Sequence, residues 1–176
     1  MATIEPVRLD DQTPQGEMLR EHENRVAGYL NFFGTLANSR AAFNAYLGSV
    51  SELRNGVLPT ELGIQIALTV SNEIGSPYCI NAYKSLAAKH GVSPYESALN
   101  ASGISTDSKT GLILAFVRKL ISEFGRIKRS EIELLRAQRI SDEEILEIIV
   151  HTVLNMAAGM VNHVAGTELE NHDDSA

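Results

Sequence analysis

Apolar positions along this chain recur at helical spacing, separated by short polar breaks, and no stretch holds the strict alternation of a half-buried strand. Thr13-Pro14 reads as N-cap and first residue of an opening helix that reaches about Gly28 or Leu30. Its polar residues Glu17, Arg20, Glu21, His22 and Glu23 predict a surface position. Asn31 to Asn38, with Phe32, Phe33 and Leu36, reads as a short apolar connector. From Ser39 to Leu53 the residues Phe43, Tyr46, Leu47, Val50 and Leu53 form one amphipathic stripe. Asn55-Gly56 ends it and Pro59-Thr60 opens the next helix. That helix, Thr60 to Ile74, is apolar nearly all round, which predicts a place at the centre of a bundle.

Further helices follow from their caps. Gly75 suits a left-handed position after a helix, Ser76 an N-cap and Pro77 a first helical residue, for a helix closed near His90 by Gly91. Ser93-Pro94-Tyr95-Glu96 combines a capping box with proline and opens a helix to about Ala101. Thr106 or Asp107 caps a helix to about Phe124, Ser130 with Glu133 and Ser141 with Glu144 read as capping boxes, and the last helix runs from about Asp142 to Ala165. The expected fold is all-α, with eight or nine helices. Residues 1–12 form an irregular lead-in, 13–170 one helical domain, and 171–176 a disordered tail.

Composition narrows the function class. Hydrophobic residues make up 44% and charged residues 21%, as in a soluble globular chain. A net charge of −7 without a dense basic patch argues against nucleic acid or an acidic membrane as partner. Residues 1–11 lack the basic and apolar regions of a secretory signal, and the single cysteine excludes an internal disulfide. Both point to a reducing, cytoplasmic setting. No thiol pair or HExxH metal motif occurs, so neither a metal nor another cofactor is expected.

The lone cysteine, Cys79, falls at the third position of the helix opened by Ser76 and Pro77. Free backbone N–H groups and the positive end of the helix dipole favour a thiolate there. Tyr83 lies four residues on, on the same face. The competing reading is structural: Cys79, Tyr83, Leu86, Ala87 and His90 form one helical stripe, cysteine is among the most buried residue types, and Ser76 needs no role beyond its cap. In the last helix, Glu147, His151 and Asn155 are spaced by four and share a face. They read as a solvent edge ahead of a cavity lining or a subunit contact. The apolar run Ile145 to Val164 reads as a buried core helix ahead of a membrane span, because Glu147, His151, Asn155, Asn162 and His163 interrupt it.

Ala67-Leu68-Thr69-Val70-Ser71 followed by Gly75-Ser76-Pro77-Tyr78-Cys79 resembles the core of the alkylhydroperoxidase D-like, carboxymuconolactone decarboxylase superfamily, whose helix pair reads A-L-x-V-S…G-C-x-x-C-x-x-x-H. The similarity runs on through Leu86 to Ser93, Asp107 to Gly125, Ile145 to Ile148 and Asn162 to Thr167, the last resembling peroxidase-related members. The resemblance implies a multi-helix orthogonal bundle and a homo-oligomer (trimer, dimer or hexamer). It also implies a catalytic site in which the second cysteine attacks a hydroperoxide, the first resolves it, and a glutamate with histidines relays the proton. On this chain the attacking position is Cys79 and the resolving position Ser76. The relay glutamate falls on Ile64, and the two histidines on Tyr78 and Tyr83. Cys79, Tyr83 and Ser76 are therefore the candidate catalytic residues.

Three functions compete. One is a one-cysteine hydroperoxide reductase in antioxidant defence, which acts on a small-molecule substrate and needs an external thiol because no second cysteine is present. Another is a non-catalytic or redox-sensing oligomer. The third is decarboxylase-type acid/base chemistry on a small organic acid, for which Glu147, His151 or His163 would have to replace the groups lost at Ile64 and Tyr83.

Overall fold

The computed structural model describes residues 1–170, and among them every regular element is an α-helix. There are ten: α1 (Pro14–Glu21), α2 (Glu23–Val26), α3 (Leu30–Ala37), α4 (Arg40–Arg54), α5 (Thr60–Glu73), α6 (Pro77–Lys89), α7 (Pro94–Ala101), α8 (Ser108–Ser122), α9 (Arg129–Ala137) and α10 (Asp142–Ala165). The all-α expectation holds. The tail at 171–176 lies outside the described residues. The described residues form two compact units, residues 1–50 with 160–170, and residues 51–159.

The first unit corrects two expectations. The opening helix breaks at His22 and so ends short of the expected bound; Glu17, Arg20, Glu21 and Glu23 are exposed as expected of a surface helix, with Met18 and Leu19 on its buried face. The expected connector is helix α3, all of whose residues from Phe32 to Ala37 are buried. Short polar breaks on either side concealed its period. Phe32 and Phe33 meet Tyr46 of α4 edge to face at centroid distances of 5.0 and 6.0 Å. The lead-in is irregular but tied down: Val7 N–H donates to the Gly34 carbonyl at 3.0 Å, a backbone approach that a side chain at Gly34 would block.

The second unit is built around α5. Its residues Ile64 to Ser71 are all buried, with α6, α7 and α8 packed on it. Ile66 and Val70 join Ile113, Leu114, Val117 and Leu120 of α8, Leu135 of α9 and Ile148 of α10 in one core. Buried polar groups on α5 are satisfied locally. The Thr69 hydroxyl reaches the Gln65 and Asn100 carbonyls at 3.1 and 2.7 Å, and the Ser71 hydroxyl donates to the Ala67 carbonyl at 2.6 Å.

The caps are partly as expected. Ser93 and Asp107 cap α7 and α8 through N–H···O bonds of 3.1 and 2.8 Å. Ser141 and Glu144 form a reciprocal box at 3.1 and 2.6 Å. Ser130 and Glu133 do not form one: the N-cap is Lys128, two residues earlier, and Glu131 receives the Lys128 N–H at 2.9 Å. Glu96 does not close the box at Ser93 either. Its carboxylate accepts from Asn100 Nδ2 at 2.7 Å, Ser105 Oγ at 2.5 Å and Thr106 Oγ1 at 2.7 Å, fastening the α7–α8 loop.

α10 is long and apolar enough to cross a membrane by length and composition, but it is not the buried core helix expected: only 33% of its most apolar 18-residue window is buried. One face carries Ile145, Ile148, Thr152 and Asn155 inward. Leu146, Val150 and Val153 on the other are exposed.

Glu96 generates a pH prediction. Burial raises its pKa, but the hydrogen bonds from Ser105, Thr106 and Asn100 outweigh it and bring the carboxyl from 4.5 down to about 2. The unfolded chain therefore takes up this proton near pH 4.5 and the folded chain only near 2, so stability is lost as pH falls through that window. Urea unfolding at pH 7, 4 and 3 should show Glu96→Gln less stable than the parent at pH 7, with a smaller loss on acidification. Parallel pH curves for the two proteins would exclude this role.

Candidate functional site

The site grows from the reversal between α5 and α6. Ile74 ends α5, and Gly75 takes φ +65°, a left-handed conformation in which a side chain would be strained. The Ser76 N–H returns to the Ser71 carbonyl at 3.0 Å. Ser76 Oγ accepts the Cys79 N–H at 3.4 Å, and Pro77 sets the first turn. The expected cap, proline and cysteine positions are all present. Ser76 is fully buried, Cys79 is 4% exposed and Tyr78 is buried beside it. The structure thus joins Ser76 and Cys79 through the cap, with the sulfur held inside the unit.

Tyr83, one turn above Cys79, packs with Leu86 against a small apolar cluster of Ile64, Leu68, Ala87 and Val92. Ile64 and Tyr83 thus share one cluster, although nineteen residues separate them. These are the positions where the resemblance puts a relay glutamate and a histidine. In this chain an isoleucine and a tyrosine stand at the two positions.

The Glu147, His151 and Asn155 stripe is not a solvent edge. Glu147 accepts from the Val57 N–H at 2.9 and 3.0 Å and from the Leu58 N–H at 3.1 Å, which clamps the loop before α5. Gly56 leaves room for the carboxylate: a Cβ there would lie 2.5 Å from its oxygens. The His151 ring packs on Gly63 of α5, where a Cβ would stand 3.1 Å from Cε1. Burial pushes the His151 pKa down, and the nearby Glu147 charge opposes this in part. Asn155 is buried, donates to the His151 carbonyl at 2.8 Å, and keeps an inward carbonyl oxygen with no hydrogen bond. His163 is exposed and belongs to the other unit. Among the described residues, no group of three or more His, Cys, Asp or Glu side chains is placed to share a metal ion.

One site residue escaped the sequence reading. Gly159 of α10 lies where a Cβ would overlap Ile74 and come within 3.6 Å of Ser76 Cβ. Its absent side chain lets α10 close over the α5–α6 reversal. A glycine inside a long helix carries a propensity cost, and that cost was the available signal.

No family model and no curated protein sequence matches this chain. Solved structures do, and they give the fold its class: it is the all-α alkylhydroperoxidase D-like fold. An uncharacterized peroxidase-related protein from Silicibacter sp. TM1040 aligns with 96% of this chain and 93% of its own, at a TM-score of 0.81 and 17% identity. An uncharacterized peroxidase-related protein from Ralstonia eutropha JMP134, described as an alkylhydroperoxidase AhpD core, covers the same shares at 0.81 and 18%. The debrominase Bmp8, solved as a cysteine-to-alanine variant with 2,3,4-tribromopyrrole, covers 96% and 92% at 0.76 and 20%.

Two outcomes test the stripe. Glu147→Ala removes a charged acceptor from two backbone N–H groups and should cost about 2 kcal/mol in urea unfolding, with Glu147→Gln intermediate; an unchanged midpoint for the alanine variant would exclude the clamp. In NMR titration the His151 Cε1–H resonance should move with a midpoint below 6.5, and a midpoint at or above it would contradict the buried placement.

Proposed function

We propose that this protein is a one-cysteine thiol oxidoreductase that reduces small organic hydroperoxides at Cys79, with an external thiol as reductant. The observation that carries this reading is the placement of Cys79 in the first turn of α6, capped by Ser76 and begun by Pro77, on a fold shared with peroxidase-related proteins. The thiolate sulfur attacks a peroxide oxygen, the S–O bond forms and the O–O bond breaks. The departing alkoxide takes a proton and leaves as the alcohol, and Cys79 becomes a sulfenic acid. One external thiol displaces water to give a mixed disulfide, and a second releases Cys79 and leaves as the symmetrical disulfide. Ser76 cannot resolve the sulfenic acid and acts as the cap.

The Tyr83 phenol, one turn from the sulfur, is assigned as hydrogen-bond donor to the leaving oxygen. A phenol hydroxyl can donate a hydrogen bond to such an oxygen. The apolar cluster around Ile64 favours an organic hydroperoxide over hydrogen peroxide. Acid/base decarboxylation is the weaker reading, because Glu147 is committed to the Val57 and Leu58 amides and His163 is exposed in the other unit. The debrominase among the structural neighbours supports one second reading, thiol-dependent removal of bromine from a brominated pyrrole by the same cysteine.

Cumene hydroperoxide consumption with dithiothreitol should fall to background in Cys79→Ser, and dimedone should trap a sulfenic acid at Cys79 in the parent. Parent turnover that survives Cys79→Ser, or a folded parent whose thiol neither labels nor turns over, would end this reading. Turnover of 2,3,4-tribromopyrrole but not of hydroperoxide would favour the second. Restoring the resolving and basic groups together, with Ser76→Cys and Tyr83→His, should raise hydroperoxide turnover by at least about tenfold.

A further inference from the structure

The turn between α8 and α9 holds an aromatic ring in water. Phe124 takes φ +53° directly before Gly125 at φ +75°. Glycine adopts that conformation freely, and a bulky aromatic residue only under strain. The ring is nonetheless 77% exposed, so burial does not explain a phenylalanine at this position. Nor is the turn loose. The N–H groups of Phe124, Gly125, Arg126 and Ile127 donate in succession to the carbonyls of Ile121, Leu120, Glu123 and Gly125 at 3.3, 3.0, 3.1 and 2.9 Å. The Lys128 N–H donates to Glu131 at 2.9 Å, and Ile127 packs against the core. The backbone therefore fixes the ring outward. Charge gathers around it. The Arg126 guanidinium carbon stands 5.8 Å from the ring centroid, a cation–π contact. Arg126, Lys128 and Arg129 follow within five residues of Phe124, and no acid occurs among residues 124–130, on a chain of net charge −7. The neighbouring acids are engaged already: Glu123 and Glu131 pair with Lys119, and Glu133 with Arg129. Among the described residues Arg126 and Lys128 enter no ion pair.

We propose that this turn is a docking surface for a short acidic segment of a partner protein, one that carries an apolar residue between its carboxylates. Three observations select that occupant. The first is charge complementarity: Arg126 and Lys128 have no acid of their own chain to pair with, and a carboxylate on either side of the ring supplies one. The second is extent. Three cations on a chain of net charge −7 make a local positive spot, which suits a short segment. A nucleic acid or an anionic membrane would bring its remaining charge against the anionic rest of the chain. The third is the ring itself. An aromatic side chain beside an arginine is the pairing enriched among interface anchors, and a ring held rigidly before contact loses little freedom on binding. Arg126 stands over the ring, and the ring's exposed apolar surface is left for the apolar residue of the segment. Backbone strain that supports an exposed side chain points to a use for that side chain outside the fold. A surface of this size makes a weak, reversible and salt-sensitive complex.

The test is an amide NMR titration of the full chain with the peptide acetyl-Asp-Glu-Leu-Glu-Asp-amide. Resonances of residues 124–130 should move, and the same peptide with lysine at every acidic position should leave them in place. Raising the salt from about 50 to about 300 mM should weaken the binding several-fold. Arg126→Glu should weaken it by at least about tenfold. Phe124→Gly separates binding from folding: it should weaken the peptide by at least about tenfold while the thermal midpoint stays at or above that of the parent, because glycine relieves the strain. The proposal is overturned by no movement at 124–130 up to about 2 mM peptide, roughly the weak limit of a specific contact. An equal response to the lysine peptide or unchanged binding in Phe124→Gly would also overturn it. So would a lower midpoint in Phe124→Gly, which would make the ring part of the fold. Tighter binding at these residues by a short oligothymidylate, or by phosphatidylcholine–phosphatidylglycerol vesicles, would assign the turn to nucleic acid or to a membrane instead.

Discussion

Burial of α5 on every side is the constraint from which the rest of the second unit follows. Eight consecutive residues, Ile64 to Ser71, lie out of water. Each fully buried Ile, Leu or Val in that run is worth roughly 1.5–3 kcal/mol, so leaving any side of the helix open would forfeit much of the unit's stability. No single neighbour can cover such a helix. α6, α7 and α8 pack on it, and α10 adds the His151 ring on Gly63. The polar side chains in the run survive because their hydroxyls bond back to nearby carbonyls, as Thr69 and Ser71 do. The loop entering α5 is fixed by Glu147, and the turn leaving it by Gly75 and Ser76.

That constraint also places the chemistry. Because α6 must turn back sharply to cover α5, its first turn is buried at the reversal, and Cys79 is buried with it. The reversal needs a residue at positive φ, a capping hydroxyl and a proline, and Gly75-Ser76-Pro77 supplies them in order. The sulfur is therefore positioned by the backbone. Further along α6, Tyr83 packs against an apolar cluster that includes Ile64 of α5. A carboxylate at position 64 would be desolvated unless an imidazole faced it, so the two positions are physically coupled. This chain has an isoleucine at one and a tyrosine at the other.

α10 carries apolar residues on two faces, one buried and one exposed. Its inward face completes the core through Ile145 and Ile148 and holds Glu147, His151 and Asn155 among buried elements. Gly159 lets it close over the reversal at Ile74 and Ser76. The outward face is apolar as well, and the two faces together raise its hydropathy to that of a membrane span. Composition by itself cannot separate these cases, because a window average does not record which side of a helix each residue occupies.

The sequence by itself determined what depends on local chemistry. The helical class, the bounds of α5 and α6, the caps at Thr13, Ser76, Ser93, Asp107 and Ser141, and the first-turn position of Cys79 were all legible, because caps, prolines and helical spacing act within a few residues. α3 was missed because eight residues between polar breaks give too little period to read, and burial of its aromatic rings supplies the stability its length does not. The start of α9 was misplaced because two acidic residues competed for one cap, and Glu131 reaches the Lys128 amide. Only the tertiary structure decided that Glu147 clamps a loop ninety residues away, that His151 rests on Gly63, and that Ile64 and Tyr83 share a cluster. Those pairings depend on which faces of distant helices meet, and that is fixed by the packing of the whole unit around α5, not by any one segment.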